Sequence, residues 1–256
     1  MEVAATSFNP TETALRSGVL NEIVPISLPQ TLGWDVAGTV AALGDGVREH
    51  AVGDRIVGWI DGAAAEFAVA RAAAVVRAPR TLALVDAAAL PLAGLTAWQA
   101  IETARLLPGE RILINGAGGG IGGFAVQLAK RLGAYVIATA SPRSRDAVKR
   151  QGADEIVDYT VAPLPSADVV LNLVGRPDPL LGKLGSRIVT AAAPVEGGTH
   201  IVVRNDPVQL AALVSLVDSG VVAVDVSERR SLSGVAELHR RSEVGDIRGK
   251  VVVVLG

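Results

Sequence analysis

The residues with the clearest chemical meaning form one run, Asn115-Gly116-Ala117-Gly118-Gly119-Gly120-Ile121-Gly122-Gly123, set between a short apolar stretch and a helix-forming one. Glycine lets backbone amides come close to a bulky anion, because no Cβ stands between them. A helix opening at such a turn adds unpaired N–H groups and the positive end of its dipole, a combination suited to a diphosphate. Two registers are open. Gly118, Gly120 and Gly123 fit G-x-G-x-x-G, whereas Gly116, Gly119 and Gly122 recur at a spacing of three. In both, the cradle is drawn from Gly116, Ala117, Gly118, Gly119, Gly120, Ile121 and Gly122. The bland alternative is a loop that merely lets strand and helix pack closely. A strand before the run, a helix after it and a further strand–helix unit behind favour a nicotinamide dinucleotide.

Which dinucleotide depends on the end of the next strand. NAD sites place an Asp or Glu there, about 20 residues past the motif, to bind the ribose hydroxyls. Here the chain reads Ala138-Thr139-Ala140-Ser141-Pro142-Arg143-Ser144-Arg145, with no carboxylate. Ser141, Arg143 and Arg145 offer charge-assisted hydrogen bonds to a 2′-phosphate instead. NADPH is therefore expected over NADH.

Other chemistries are excluded or lack support. With no cysteine, disulfides, thiolate catalysis and cysteine-held zinc or iron–sulfur sites are ruled out. His50, His200 and His239 have no metal-ligand spacing, so no metal is expected. Neither Tyr135 nor Tyr159 is followed by Lys four positions on, and the chain contains no G-x-S-x-G elbow and no G-x-x-x-x-G-K-[ST] loop. Twenty-four basic and 26 acidic residues give a net charge of −2 without a basic stripe, which argues against nucleic acid and membrane-surface partners. The first residues lack the pattern of a signal peptide, and the apolar stretch Ala87 to Ala100 is too short to span a bilayer. A soluble cytoplasmic protein is expected.

The elements that must position the glycine run follow from periodicity. From Met1 to about Arg80, short β-branched runs broken by Gly-Asp turns predict a small, mostly antiparallel barrel or sheet. From about Asp86 to Val203 strands and helices alternate: strands at Arg111 to Asn115, Tyr135 to Thr139, Glu155 to Tyr159, Asp168 to Val174 and Arg187 to Ala192, helices at Gly122 to Leu132 and Arg145 to Gln151. Such repeats imply a doubly wound, mainly parallel sheet. A helix at Pro207 to Ser219, capped by Asp206, precedes strands at Val221 to Val226 and Lys250 to Leu255 around a helix near Ser233 to Ser242. The fold class is α/β: a Rossmann domain over 86–221 and a smaller β domain over 1–85 and 222–256.

Several segments, in order, carry a family resemblance. They are Asn9-Pro10-Thr11-Glu12 with Arg16-Ser17-Gly18, Gly33-Trp34-Asp35-Val36-Ala37-Gly38, Gly53-Asp54-Arg55-Ile56, Leu90-Pro91-Leu92-Ala93-Gly94-Leu95-Thr96-Ala97, Gly152-Ala153-Asp154 and Arg248-Gly249-Lys250-Val251-Val252. With them the chain resembles the zinc-independent quinone oxidoreductase (ζ-crystallin-like) branch of the medium-chain dehydrogenase/reductase superfamily. The resemblance selects the Gly116, Gly119, Gly122 register, with Gly116 in the place of the family's alanine.

The resemblance implies a GroES-like catalytic domain, here shortened at its N-terminus, a Rossmann domain and substrate in the cleft between them. It places Asn9 near the nicotinamide and Thr96 along the same cleft. Ser141, Arg143 and Tyr159 fall around the adenosine phosphate, and the main chain at Val174 and Ala192 along the nicotinamide ribose. The implied reaction is metal-free hydride transfer from NADPH to a quinone or enone, with water supplying the proton. The side chains of Asn9 or Thr96 would meet the developing oxyanion. Two alternatives stand beside it: an enoyl reductase of polyketide or fatty-acid type, and a catalytically weak NADPH-binding module. A homodimer is expected, pairing an edge strand at Gly198 to Arg204 across a two-fold axis.

Overall fold

The protein is described by a computed structural model over residues 1–20, 27–176 and 179–255. It divides into two compact units, one comprising Met1–Leu92, Asn205–Asp218 and Val226–Gly256, the other Ala93–Arg204 and Ser219–Asp225. Each holds a six-stranded sheet.

In the first unit the strands are β1 (Glu2–Phe8), β2 (Asp35–Thr39), β3 (Arg55–Trp59) and β4 (Val75–Arg77). Numbering continues through the second unit with β5 (Arg111–Asn115), β6 (Tyr135–Thr139), β7 (Glu155–Val157), β8 (Val169–Asn172), β9 (Arg187–Thr190) and β10 (Thr199–His200). β11 (Val226–Ser231) and β12 (Lys250–Val254) return to the first. The first sheet runs β11-β12-β1-β2-β3-β4 and is antiparallel at every pairing except β11 with β12. Its core gathers Val3, Val36, Val40, Ile56, Ile60 and Val75.

The second sheet runs β10-β9-β8-β5-β6-β7 and is parallel throughout. The order reverses at β5 and β8, which is the topological switch point of a Rossmann sheet. Ile112, Leu113 and Ile114 on β5 are fully buried, as are Val136, Ile137 and Ala138 on β6. Continuous apolar strands of this kind are what a sheet covered on both faces requires.

Seven helices are assigned among the described residues: α1 (Pro10–Arg16), α2 (Leu84–Ala87), α3 (Pro91–Ala104), α4 (Gly120–Arg131), α5 (Arg145–Arg150), α6 (Pro207–Asp218) and α7 (Val235–Glu243). None is long and apolar enough to cross a membrane. Asp206 does cap α6, its Oδ1 accepting from the amides of Val208 at 3.0 Å and Gln209 at 3.1 Å.

Three expectations need correction. The apolar run Val221 to Val224 is not a strand; Gln127 satisfies the Ala223 amide at 2.7 Å and its carbonyl at 2.9 Å, replacing a ladder with a side chain. The strand falls instead on the polar stretch Val226–Ser231, where Glu228 pairs with Arg241 and Arg229 with Asp86. Helix α6 groups with the first unit rather than the Rossmann unit, because Asp218 at its end accepts from the Arg80 and Thr81 amides at 2.7 and 3.0 Å. The edge strand expected at Gly198 to Arg204 is confined to Thr199–His200.

Candidate functional site

The chain leaves β5 at Asn115 and turns at Gly116, whose φ of +94° strains any residue with a side chain. Gly119 then stands at the N-cap of α4 with extended backbone, and no side chain caps the helix. At Gly122 a Cβ would lie 2.5 Å from Ala117 Cα, Ala117 O and Gly116 O, all main-chain atoms that cannot swing aside. At Gly123 the atoms nearest an added Cβ belong to the flexible end of Gln151. Main-chain constraint therefore falls on Gly116 and Gly122, members of the three-residue register. The first-turn amides of α4, from Gly120, Ile121 and Gly122, lack intrahelical acceptors, and the dipole's positive end lies with them. An open amide cradle at the carboxyl edge of a parallel sheet fits a dinucleotide diphosphate.

Other predicted residues cluster around this edge. The carbonyl of Ser141 accepts from the amides of Ser144 at 3.0 Å and Arg145 at 3.1 Å, forming the turn that starts α5. Ser144 packs beneath Gly118, so a Cβ at Gly118 would stand 2.6 Å from its Cβ. Arg143 and Arg145 are exposed. The Thr160 hydroxyl and amide hold the Asp158 carboxyl below the usual carboxylate range, with the Arg145 charge adding to the effect. Tyr159 itself is exposed. Val174 lies beside Gly116, and Ala192 is exposed just past β9.

The most ordered feature of this edge was missed in the sequence. β5, β6, β8 and β9 read Arg-Ile-Leu-Ile-Asn, Tyr-Val-Ile-Ala-Thr, Val-Val-Leu-Asn and Arg-Ile-Val-Thr, each ending in one amide or hydroxyl. Those residues, Asn115, Thr139, Asn172 and Thr190, are all buried and bonded to one another. A single polar residue closing each apolar run was the available signal.

Asn9 and Thr96 belong to different units. Thr96 is buried on α3. Asn9 caps α1, its amide donating to Glu12 Oε1 at 3.2 Å, and enters a buried ionic cluster. Its Nδ2 donates to Asp35 Oδ2 at 2.9 Å and the Ser7 carbonyl at 3.1 Å, while its Oδ1 accepts from Lys250 Nζ at 2.7 Å. Both Nδ2 hydrogens are taken, so the oxyanion-donor role expected of Asn9 is corrected: its side chain has no hydrogen left to give. Asp35 also binds Ser7 Oγ, Lys250 at 3.3 Å and the Leu92 amide at 2.7 Å. Burial, and then the neighbouring Asp35 charge, push the Glu12 carboxyl up to about 7.

Comparison with known proteins accounts for both units. Residues 1–80 match the alcohol dehydrogenase GroES-like domain, and residues 151–253 match the zinc-binding dehydrogenase domain. A chloroplast envelope quinone oxidoreductase homolog of Arabidopsis thaliana is 33% identical over 290 residues, covering 99% of this chain and 88% of the relative. The chain belongs to the quinone oxidoreductases of the medium-chain dehydrogenase/reductase superfamily. It is an oxidoreductase with the α/β architecture of that family.

Solved structures agree. The quinone oxidoreductase from Coxiella burnetii superposes with a TM-score of 0.89 at 28% identity, covering 100% of this chain and 89% of that one. That of Escherichia coli, solved with NADPH, gives 0.86 at 26%, covering 99% and 90%. One domain description names zinc, and the donor set does not fit that metal. The chain has no cysteine, and among the described residues no three His, Asp or Glu side chains gather.

Proposed function

We propose that this oxidoreductase uses NADPH to reduce a quinone or another conjugated carbonyl without a metal. The observation that carries the proposal is the glycine turn. Gly116 and Gly122 are fixed by main-chain geometry, and the uncapped start of α4 offers its amides to a diphosphate. Ser141, Arg143 and Arg145 stand where an NAD enzyme would carry a carboxylate, and their donors suit a 2′-phosphate. Tyr159 closes the adenosine end, and main chain at Val174 and Ala192 borders the nicotinamide ribose. When bound, NADPH supplies the hydride, and water supplies the proton that completes the reduced product. Thr96 is assigned to the acceptor; Asn9, with its amide hydrogens committed, has no hydrogen bond to give it. The chain's own part is then orientation rather than acid catalysis.

A homodimer and a cytoplasmic location complete the proposal. Pairing is supported by β10, an edge strand bonded to β9 alone, with Val202 exposed just beyond it. Light scattering at the monomer mass would remove the dimer, and recovery in a membrane or organelle fraction would remove the location.

Fluorescence titration with NADPH and NADH, followed by NADPH consumption against a panel of quinones and enones, tests the activity. NADPH should bind more tightly, and Arg145→Ala should cost about 1.5–3 kcal/mol of that binding while leaving NADH nearly unchanged. Tight binding without turnover on any acceptor would refute the enzymatic part.

A further inference from the structure

A continuous hydrogen-bond chain crosses four strands at the carboxyl edge of the parallel sheet. It begins at the Gly116 amide, which donates to Thr139 Oγ1 at 2.8 Å. The Thr139 hydroxyl donates to Asn115 Oδ1 at 3.2 Å, and Asn115 Nδ2 donates to Asn172 Oδ1 at 3.0 Å. Asn172 Nδ2 donates to the Val174 carbonyl at 3.0 Å and to Thr190 Oγ1 at 3.4 Å. The Thr190 hydroxyl passes the chain to the Ala193 carbonyl. Every donor points the same way. The direction is forced, because a peptide amide at one end can only give and a peptide carbonyl at the other can only accept.

Sheet register makes this one rung. Asn115 stands opposite Asn172, and Asn172 opposite Thr190, while Ile114 opposite Ala138 brings Asn115 beside Thr139. Exposures of 7, 1, 0 and 0% for Asn115, Thr139, Asn172 and Thr190 leave water little access to replace a lost partner. Such one-way chains strengthen cooperatively in a low dielectric. The rung reaches over three strand spacings, about 14 Å, and its ends are irregular backbone on either side of the switch point.

We infer that Asn115, Thr139, Asn172 and Thr190 are positioning residues for the dinucleotide. Together they set the spacing between the diphosphate turn at Gly116 and the segments at Val174 and Ala193 that border the nicotinamide ribose. The inference rests on the NADPH assignment above and adds two consequences to it. The Gly116 amide and the Val174 carbonyl are consumed internally, so the ligand is met by other groups of those segments. The two ends of the rung, which do not touch, act on coenzyme affinity together.

The test uses the full chain, with amide exchange in the coenzyme-free protein and NADPH affinity by fluorescence. Thr139→Val keeps the shape and removes the hydroxyl. Gly116 amide exchange should accelerate, and the NADPH Kd should rise about 5- to 30-fold. Thr139→Ser should return the Kd to within about twofold, since it restores the missing group. Thr190→Val should weaken binding as well, and the double variant should lose less than the product of the two, because one chain is broken twice.

If the valine variants do not fold, Asn172→Asp takes their place. It keeps the size, removes both N–H donors, and should also weaken NADPH. Wild-type affinity in folded Thr139→Val or Asn172→Asp, strictly multiplicative losses, or failure of the serine rescue would each overturn the positioning role. In those cases the wild-type chain still binds NADPH, and the proposed function survives. If the wild-type chain binds neither NADPH nor NADH, both fall.

Discussion

The buried polar groups of the two units do the same structural job with different materials. In the parallel sheet, Asn115, Thr139, Asn172 and Thr190 are neutral, and each donor finds an acceptor in turn. In the other unit, Asp35, Glu12 and Lys250 are ionisable and almost wholly buried, with Asn9 and Ser7 between them. A neutral chain avoids the desolvation of charge and is indifferent to pH. The ionic cluster sets two carboxyls against one ammonium, so it holds a proton or gives up stability. Both networks are buried and hydrogen-bonded, but only one carries a group that titrates.

The largest break in this comparison should come from Lys250→Met. The substitution leaves Asp35 buried without its counter-charge and is expected to cost about 3–5 kcal/mol in a urea melt. Glu12 sharpens the contrast next. The folded state keeps its proton up to about pH 7, whereas the ordinary value is 4.5. The folded chain thus binds more protons within that window. Its stabilising contribution is complete below pH 4.5 and is lost as pH rises through 7, on the order of 3 kcal/mol. Glu12→Gln should flatten this pH dependence; an unchanged slope would mean that another group carries it.

Asn172→Leu is smaller, about 1–3 kcal/mol, because it strands Asn115 and Thr190 without removing a charge. Its cost should be the same at pH 5 and pH 8, and a pH-dependent loss would erase the distinction between the two regions. Gly122→Ala is expected to cost about 1–3 kcal/mol by overpacking against the Gly116 and Ala117 main chain. The control Gly44→Ala, with nothing within 4 Å of an added Cβ, should stay within about 0.5 kcal/mol.

Much of the parallel unit was legible because its signals are local. The glycine run, the apolar strands on either side and the missing carboxylate before Arg143 all lie within a short stretch. The rung was not legible as a network, since its members are spread from Asn115 to Thr190 and meet only through sheet register. The polar strand Val226–Ser231 was missed for a related reason. Its stability comes from pairing with β12 and from ion pairs to Arg241 and Asp86, not from its own hydropathy.

Asn9 shows the same limit at a single residue. Its place in the Asn-Pro segment could be read directly, but the commitment of its amide could not, because Asp35 and Lys250 lie 26 and 241 residues away. The sequence by itself determined the fold class and the placing of a glycine-rich turn between strand and helix, since periodicity and the lack of a Cβ act over a few residues. The tertiary structure alone decided which polar groups are already spent on one another. That depends on strands brought side by side and on water being excluded from between them.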